Sequence, residues 1–348
     1  MTILIWTVVA VVSTGVVWKG SGWLERSSER LAVYYELPDI VKGAIVVAVG
    51  SSFPELSTTV ISTLLHGEFE LGVSAIVGSA LFNILMVPAL SGLAGEEQLE
   101  ANRDLVYKEA QFYMIAVAVL LLTFSFAAIY NPVGPGESLI KGTLTRPLAM
   151  IPVALYVLYV FVQYQDTMDY DAGESTHDVD PLKNWGLLVV SLLVILAGVE
   201  GLVRAAINYG EFFGTPSFLW GITVVAAGTS IPDAFVSINA ARDGKAVTSV
   251  ANVLGSNIFD LLVCIPAGVL VAVEPPTINY TIAAPMMGVL TFATIVLFLM
   301  MRTSLILSRA EAWWLLAIYC VFVVWMGVET FGVVDLVHGL PPANPSGH

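Results

Sequence analysis

Three acidic residues stand where acidic residues are expensive. Glu55, Asp233 and Asp260 each lie deep inside a long apolar stretch, and none has a Lys or Arg within a helical turn. Glu200 differs, because Arg204 follows it at i, i+4, the spacing of a paired acid and base on one helix face. Around the three lone acids the sequence gathers other oxygen donors. Gly50-Ser51-Ser52-Phe53-Pro54-Glu55 is followed by Gly78-Ser79-Ala80-Leu81-Phe82-Asn83. Gly228-Thr229-Ser230-Ile231-Pro232-Asp233 is followed by Gly255-Ser256-Asn257-Ile258-Phe259-Asp260. Ser256 and Asp260 are four apart and share a helix face, as do Ser79 and Asn83. None of the four histidines and neither Cys264 nor Cys320 is expected in the cluster, and both cysteines read as buried space-fillers. All-oxygen ligation suits hard cations such as Ca²⁺, Na⁺ and Mg²⁺ rather than zinc or copper. Each piece alone has a plainer role. A Ser or Thr in an apolar helix bonds the carbonyl one turn back, an Asn links helices, and a Pro kinks. The set, duplicated, points to an ion site.

The local sequence predicts how these groups are presented. Pro54 removes a helical hydrogen bond and clashes with the preceding turn, and Gly50 weakens the helix further. Ser52 and Glu55 have capping-box spacing, which starts a new helix. A broken helix at mid-membrane follows, with free carbonyls near Ala48 and Val49 that need a partner in lipid. Ala226, Thr229, Ser230, Pro232 and Asp233 repeat the arrangement.

The elements that carry these motifs are membrane spans. Of the 348 residues 57% are hydrophobic and 12% charged, with a mean hydropathy of +0.83. Soluble domains carry about 25% charged residues. An ordinary soluble enzyme, a disordered protein and a nucleic-acid binder are excluded, the last also by a net charge of −14. A helix needs about 20 apolar residues to cross a bilayer. Ten candidate spans lie near 3–19, 38–64, 71–94, 108–130, 146–165, 184–205, 216–240, 246–273, 280–301 and 310–328, the first extending toward residue 33. Connections after the odd-numbered spans hold eleven of the Lys and Arg residues, against three in the others. That asymmetry puts the central loop in the cytoplasm and both termini outside a cell membrane. Trp185, Trp313 and Trp314 read as interfacial anchors. Residues 166–183, rich in Asp, read as a linker between two five-span halves, 1–165 and 184–330. A tail, 331–348, is expected to be unstructured at its Pro-rich end.

The halves repeat. At an offset of 178, Ser13 meets Ser191, Gly20 meets Gly198, Arg26 meets Arg204, Pro38 meets Pro216 and Gly43 meets Gly221. The run from Ala48 to Glu55 meets the run from Ala226 to Asp233, and at 177 the run from Gly78 to Asn83 meets that from Gly255 to Asp260. With five spans each, the second half enters from the opposite face. This is an inverted-topology repeat, an architecture of secondary transporters. The predicted fold class is therefore an all-α polytopic membrane protein of about ten transmembrane helices in two inverted five-helix repeats, with broken helices at mid-membrane.

The two motif pairs resemble the alpha-repeats of the calcium/cation antiporters, and among them the sodium/calcium exchangers, including the potassium-dependent branch. The resemblance implies that Glu55 and Asp233 bind Ca²⁺ from opposite sides, with backbone carbonyls at Ser51 and Thr229 completing its shell. It implies sodium sites at Ser52, Ser79, Ser230 and Ser256 with carbonyls at Ala48 and Ala226, and it lines the middle of the site with Asn83 and Asp260. It further implies that spans one and six slide across a rigid core. Asp233 replaces a glutamate carried by many prokaryotic members, and Asp260 matches an aspartate associated with potassium dependence. Ala80 opposite Asn257 breaks the internal symmetry.

The expected activity is Na⁺/Ca²⁺ antiport by alternating access, normally extruding Ca²⁺. Ca²⁺/H⁺ exchange and potassium-dependent exchange stay open as alternatives. A channel is disfavoured because one chain builds one asymmetric site. An intramembrane aspartyl protease is disfavoured because a Gly-x-Gly-Asp motif is absent from the sequence. No catalytic residue, cofactor, nucleic acid or obligatory protein partner is expected. The partners are the lipid bilayer and inorganic cations.

Overall fold

The computed structural model describes residues 2–35, 48–94, 99–100, 108–134, 139–166, 180–243, 246–302, 305–337 and 340. Span one is α1 (Thr2–Tyr34), and span two contains α2 (Ala48–Ser51) and α3 (Phe53–His66). Span three joins α4 (Phe69–Leu81) to α5 (Val87–Ala94) through a π-helical turn, Phe82–Met86. Spans four and five are α6 (Ala110–Tyr130) and α7 (Arg146–Asp166). The second half begins with α8 (Pro181–Phe213) as span six. Span seven runs from α9 (Ser217–Trp220) through a π-helical turn, Gly221–Val225, into α10 (Ala226–Arg242). Span eight joins α11 (Ala246–Phe259) to α12 (Ile265–Val271) through a third π-helical turn, Asp260–Cys264. Spans nine and ten are α13 (Tyr280–Arg302) and α14 (Arg309–Thr330).

Nine helices among the described residues are long and apolar enough to cross a membrane. The tenth expected span, 38–64, lies partly outside the described residues, and only α2 and α3 represent it. The first span does extend to Tyr34. Asp180 caps α8 by accepting from the Lys183 N–H at 3.2 Å, so α8 begins at Pro181, inside the stretch read as linker. Residues 167–179 and 341–348 lie outside the described residues.

The halves match element by element. Spans one and six are both 33-residue helices, and spans three and eight both carry a five-residue π-helical turn beginning beside the motif acid or amide. Short strands follow the same rule. β1 (Leu99–Glu100) pairs antiparallel with β5 (Ile306–Leu307). β3 (Lys141–Thr143) pairs with β4 (Thr277–Asn279) and with β2 (Pro132–Val133). Exchanging the halves carries β1 onto β4 and β5 onto β3, so one strand pair becomes the other. The first pair joins connections that follow spans three and nine. The second joins connections that follow spans four and eight, so the two pairs mark opposite faces.

Spans three, eight and seven form the core, with 89%, 78% and 61% of their apolar windows buried, against 22% for α7 and 28% for α14. Leu4, Val11, Val157, Leu193 and Val321 are exposed on the outer helices and form a lipid-facing coat. Trp185, Trp313 and Trp314 are also exposed, as anchors would be. Cys264 is buried as expected, but Cys320 is exposed on α14 and fills no core space.

Helices α1 and α8 lie against each other with reciprocal small-residue contacts. A Cβ at Gly20 would come 2.7 Å from Ile195, and one at Gly198 would come 2.8 Å from Val17. Val17 and Ile195 are themselves repeat partners. Hydrogen bonds close both ends of this antiparallel pair, from Tyr209 to Thr7 at 2.9 Å and from Trp185 to Tyr35 at 3.0 Å. Glu200 pairs with Arg204 at 2.5 Å, as its spacing predicts, and also with His66 at the end of α3 at 3.0 Å.

Gly78 brings spans three and seven together. A Cβ there would overlap the Ile222 carbonyl and lie 2.7 Å from the Ala226 methyl, whereas its repeat partner Gly255 has open space. Gly78→Ala is therefore expected to cost about 1–3 kcal/mol by overpacking. Gly255→Ala should instead raise stability by about 0.5–1 kcal/mol, through the better helix propensity of alanine where its methyl meets nothing. Thermal melts of both variants in detergent check this, and equal effects would contradict the packing.

Candidate functional site

Pro54 and Pro232 shape the two motif helices differently. In span two the helix is interrupted at Ser52 (φ −90°, ψ 9°), and α3 restarts with Pro54 in its first turn. In span seven α10 continues through Pro232, and the irregularity falls at the preceding π-helical turn. Each proline lacks the N–H that would meet the carbonyl four residues back, at Gly50 and Gly228. The expected capping box does not form, because the Ser52 side chain makes no cap. Its hydroxyl turns instead to the Ser256 carbonyl in span eight at 3.5 Å, a long contact, and lies within reach of Asp260.

Glu55, Asp233 and Asp260 are 1%, 3% and 0% exposed, which places them inside the protein and away from lipid. No Lys or Arg among the described residues pairs with them, and the carboxylates of Asp233 and Asp260 both repel Glu55. Side chains from four spans tie the acids together. Ser79 donates to Glu55 Oε1 at 3.3 Å and accepts from Ser230 at 2.7 Å. Asn83 donates to Asp233 Oδ2 at 3.5 Å and to Asn257 Oδ1 at 3.0 Å. Asn257 in turn donates to the Ala80 carbonyl at 3.2 Å. That contact explains the asymmetry noted in the sequence: the amide of one repeat caps the backbone at the matching position of the other, where a small residue leaves room.

The hydroxyls have defined directions. The single Ser230 hydrogen is divided between Ser79 Oγ and the Ala226 carbonyl, which lies 2.8 Å away, while Thr229 donates to the same carbonyl at 3.3 Å and Ser256 to that of Val253 at 3.1 Å. This is the back-bonding expected of lone helical hydroxyls. It uses the hydrogen and leaves lone pairs on each oxygen. The Ala226 carbonyl is already shared by two hydroxyls. Ala48 lies in α2, with its side chain outside the described atoms, and Ser51 ends that helix.

Two carboxylate oxygens, Glu55 Oε2 and Asp260 Oδ2, and the amide oxygen of Asn83 are buried with no hydrogen-bond partner. Buried carboxylate oxygens in that condition are costly unless something positive meets them. Among the described residues no three His, Cys, Asp or Glu side chains form a compact metal cage. The oxygens gathered around the acids are instead those of hydroxyl, amide and backbone carbonyl groups.

Three neighbours escaped the sequence reading. Cys264 donates to Asp260 Oδ1 at 3.6 Å, which overturns the expectation that neither cysteine joins the cluster. Its i, i+4 spacing from Asp260 was the available signal. Asn257 was noted only as an asymmetry. Tyr113 of α6 is fully buried near Asn257 and Thr294, and nothing in the sequence distinguished it from other span aromatics.

A family model described as sodium/calcium exchanger protein matches residues 5–165 and 183–328, both motif pairs included. An uncharacterized membrane protein of Methanocaldococcus jannaschii is 26% identical over 303 residues, covering 87% of this chain and 91% of that protein. Sodium/calcium exchanger MaX1 of Methanosarcina acetivorans is 23% identical over 335 residues, covering 88% of this chain and 94% of that one. Among solved structures, the sodium-calcium exchanger NCX_Mj soaked with 100 mM Na⁺ and 10 mM Sr²⁺ shares the fold. Its TM-score is 0.63 at 22% identity, over 92% of this chain and 98% of that chain. With a duplicated acid-and-hydroxyl core and a family match across both halves, this chain belongs to the sodium/calcium exchanger protein family.

Proposed function

We propose that this membrane protein is a secondary antiporter exchanging Na⁺ for Ca²⁺, extruding Ca²⁺ from the cytoplasm by alternating access. The observation that carries the reading is the set of buried acids that have no basic partner among the described residues and are held by hydroxyl and amide groups of four spans from both repeats. In this reading Ca²⁺ binds Glu55 and Asp233, with carbonyls at Ser51 and Thr229. Sodium ions use Ser52, Ser79, Ser230 and Ser256, the carbonyls at Ala48 and Ala226, and the region of Asn83 and Asp260. The functional units are the repeats 1–165 and 184–330, joined by the 166–183 linker and followed by the 331–348 tail.

Exchange follows from electrostatics. Buried carboxylates bare of any cation are costly inside the bilayer. The empty carrier therefore crosses poorly, and a loaded one crosses with either ion set. Ca²⁺ and Na⁺ compete for the same oxygens, so binding one displaces the other. Helices α1 and α8 interlock through the reciprocal Gly20 and Gly198 contacts, which supports their moving as a pair. The Lys and Arg distribution supports a cytoplasmic central linker and external termini. The hydroxyls around the acids favour Na⁺ over a bare proton relay. Asp260 keeps potassium or proton coupling as the second reading.

Glu55→Gln and Asp233→Asn are each expected to lower Na⁺-driven ⁴⁵Ca²⁺ flux in proteoliposomes at least about 100-fold, as for loss of a charged ligand that leaves other buried groups unpaired. Thermal stability without added ions should stay the same or rise, because a buried uncompensated charge is removed. Normal flux in either variant contradicts the site.

Asp260→Asn is expected to change the dependence on monovalent ions while the Ca²⁺ concentration for half-maximal flux stays within about threefold, a change below about 0.7 kcal/mol. Imposing Na⁺, K⁺ and H⁺ gradients one at a time, with pH clamped in the Na⁺ arm, separates the readings. Ca²⁺ flux driven by H⁺ alone would favour Ca²⁺/H⁺ exchange.

A further inference from the structure

A cavity of about 40 Å³ lies beside the central site, lined by Trp18, Ser21 and Glu25 of α1, Ser51 of span two, Asp233 of span seven and Asn252 of span eight. That volume holds a single water-sized species. Its walls are polar where a cation would need them. Ser21 is 5% exposed, and its hydroxyl oxygen has no hydrogen-bond partner. Glu25 and Asp233 both line the cavity, so two carboxylates border the same small space. The basic neighbour on the same helix, Arg26, donates its Nε to the Gly22 carbonyl at 2.7 Å. Around Glu25, Glu29 one turn further adds negative charge and Arg26 offsets part of it.

The cavity has a side. Glu25 lies in the last third of span one, Ser51 early in the described part of span two, Asp233 in the second half of span seven and Asn252 early in span eight. Those positions all approach the face bearing the connections after odd-numbered spans. The repeat partner of Glu25 is Val203, so the opposite approach to the site has no matching acid.

We propose that Glu25, Ser21 and Asp233 form a waiting site for a divalent cation on the path between that face and the central acids. This inference rests on the exchange reading and adds a step to it. A cation entering from that face is concentrated by Glu25 before Asp233 takes it over. Glu25 belongs to α1, so movement of α1 relative to span seven parts the two carboxylates and closes the approach.

Two measurements test it. In proteoliposomes of defined orientation, Glu25→Gln is expected to raise the Ca²⁺ concentration for half-maximal flux about tenfold from the Lys183 and Arg242 face, through loss of charge focusing. The other face should be unchanged. Equal shifts at both faces, or at neither, overturn the proposal. In purified protein Tb³⁺ serves as the probe, with emission excited through Trp18 in the cavity wall. Emission that Ca²⁺ displaces is expected in the wild type and lost in both Trp18→Phe and Glu25→Gln. Its persistence in Glu25→Gln, or its absence from the wild type, places the ion elsewhere and overturns the proposal. The Tb³⁺ signal does not depend on transport. A wild type with the expected signal but no Na⁺-driven flux would therefore sink the exchange reading and leave the cation site standing.

Discussion

Carboxylates at the middle of a membrane-spanning bundle, with no basic residue paired to them among the described residues, constrain everything else in this molecule. Such groups are tolerated when they are kept from lipid and met by something positive. The burial of Glu55, Asp233 and Asp260 satisfies the first condition through spans three, seven and eight, which are themselves largely enclosed by the outer helices. The second condition is the one that the proposed cation site would meet. Small residues serve the same end, since Gly78 lets the Ile222 backbone approach and so brings the two repeats within hydrogen-bonding distance.

The duplicated architecture builds this site from two surfaces that neither half could close alone. Ser79 meets Ser230, Asn83 meets Asp233, and Asn257 reaches the backbone of Ala80, each bond crossing from one repeat to the other. Inversion lets equivalent helices arrive from opposite faces, so the matched motifs converge at mid-depth. The strand pairs express the same relation at the two surfaces. Departures from symmetry are where chemical character enters. Asp260 stands against Asn83, Asn257 against Ala80, and Glu25 against Val203, so each half supplies one amide, the second half holds the extra acid of the central site, and the first holds the extra acid beside it.

The helix interruptions show how far local rules reach. Pro54 and Pro232 each remove a backbone donor wherever they sit, and both glycine-to-acid motifs were recognisable as irregular. One span breaks at Ser52, while the other absorbs the irregularity in a π-helical turn before the motif. The proline chemistry is identical, so the difference arises from packing. Ser52 was a plausible cap by spacing, yet its hydroxyl is drawn toward span eight. Cys264 joins Asp260 by a spacing visible in the chain, although its apolar surroundings read as those of a buried space-filler.

From the sequence by itself came the number and placement of the spans, the inverted repeat and the identity of the lone acids. These depend on properties carried along the chain: local apolarity over about 20 residues, a missing proline N–H, and residue identity at a fixed offset. Only the tertiary structure decided which hydroxyl donates to which oxygen, that Asn257 caps Ala80, that Tyr113 stands beside the site, and that α1 brings Glu25 to Asp233. Those contacts join residues separated by scores to hundreds of positions, and their geometry comes from how the helices cross.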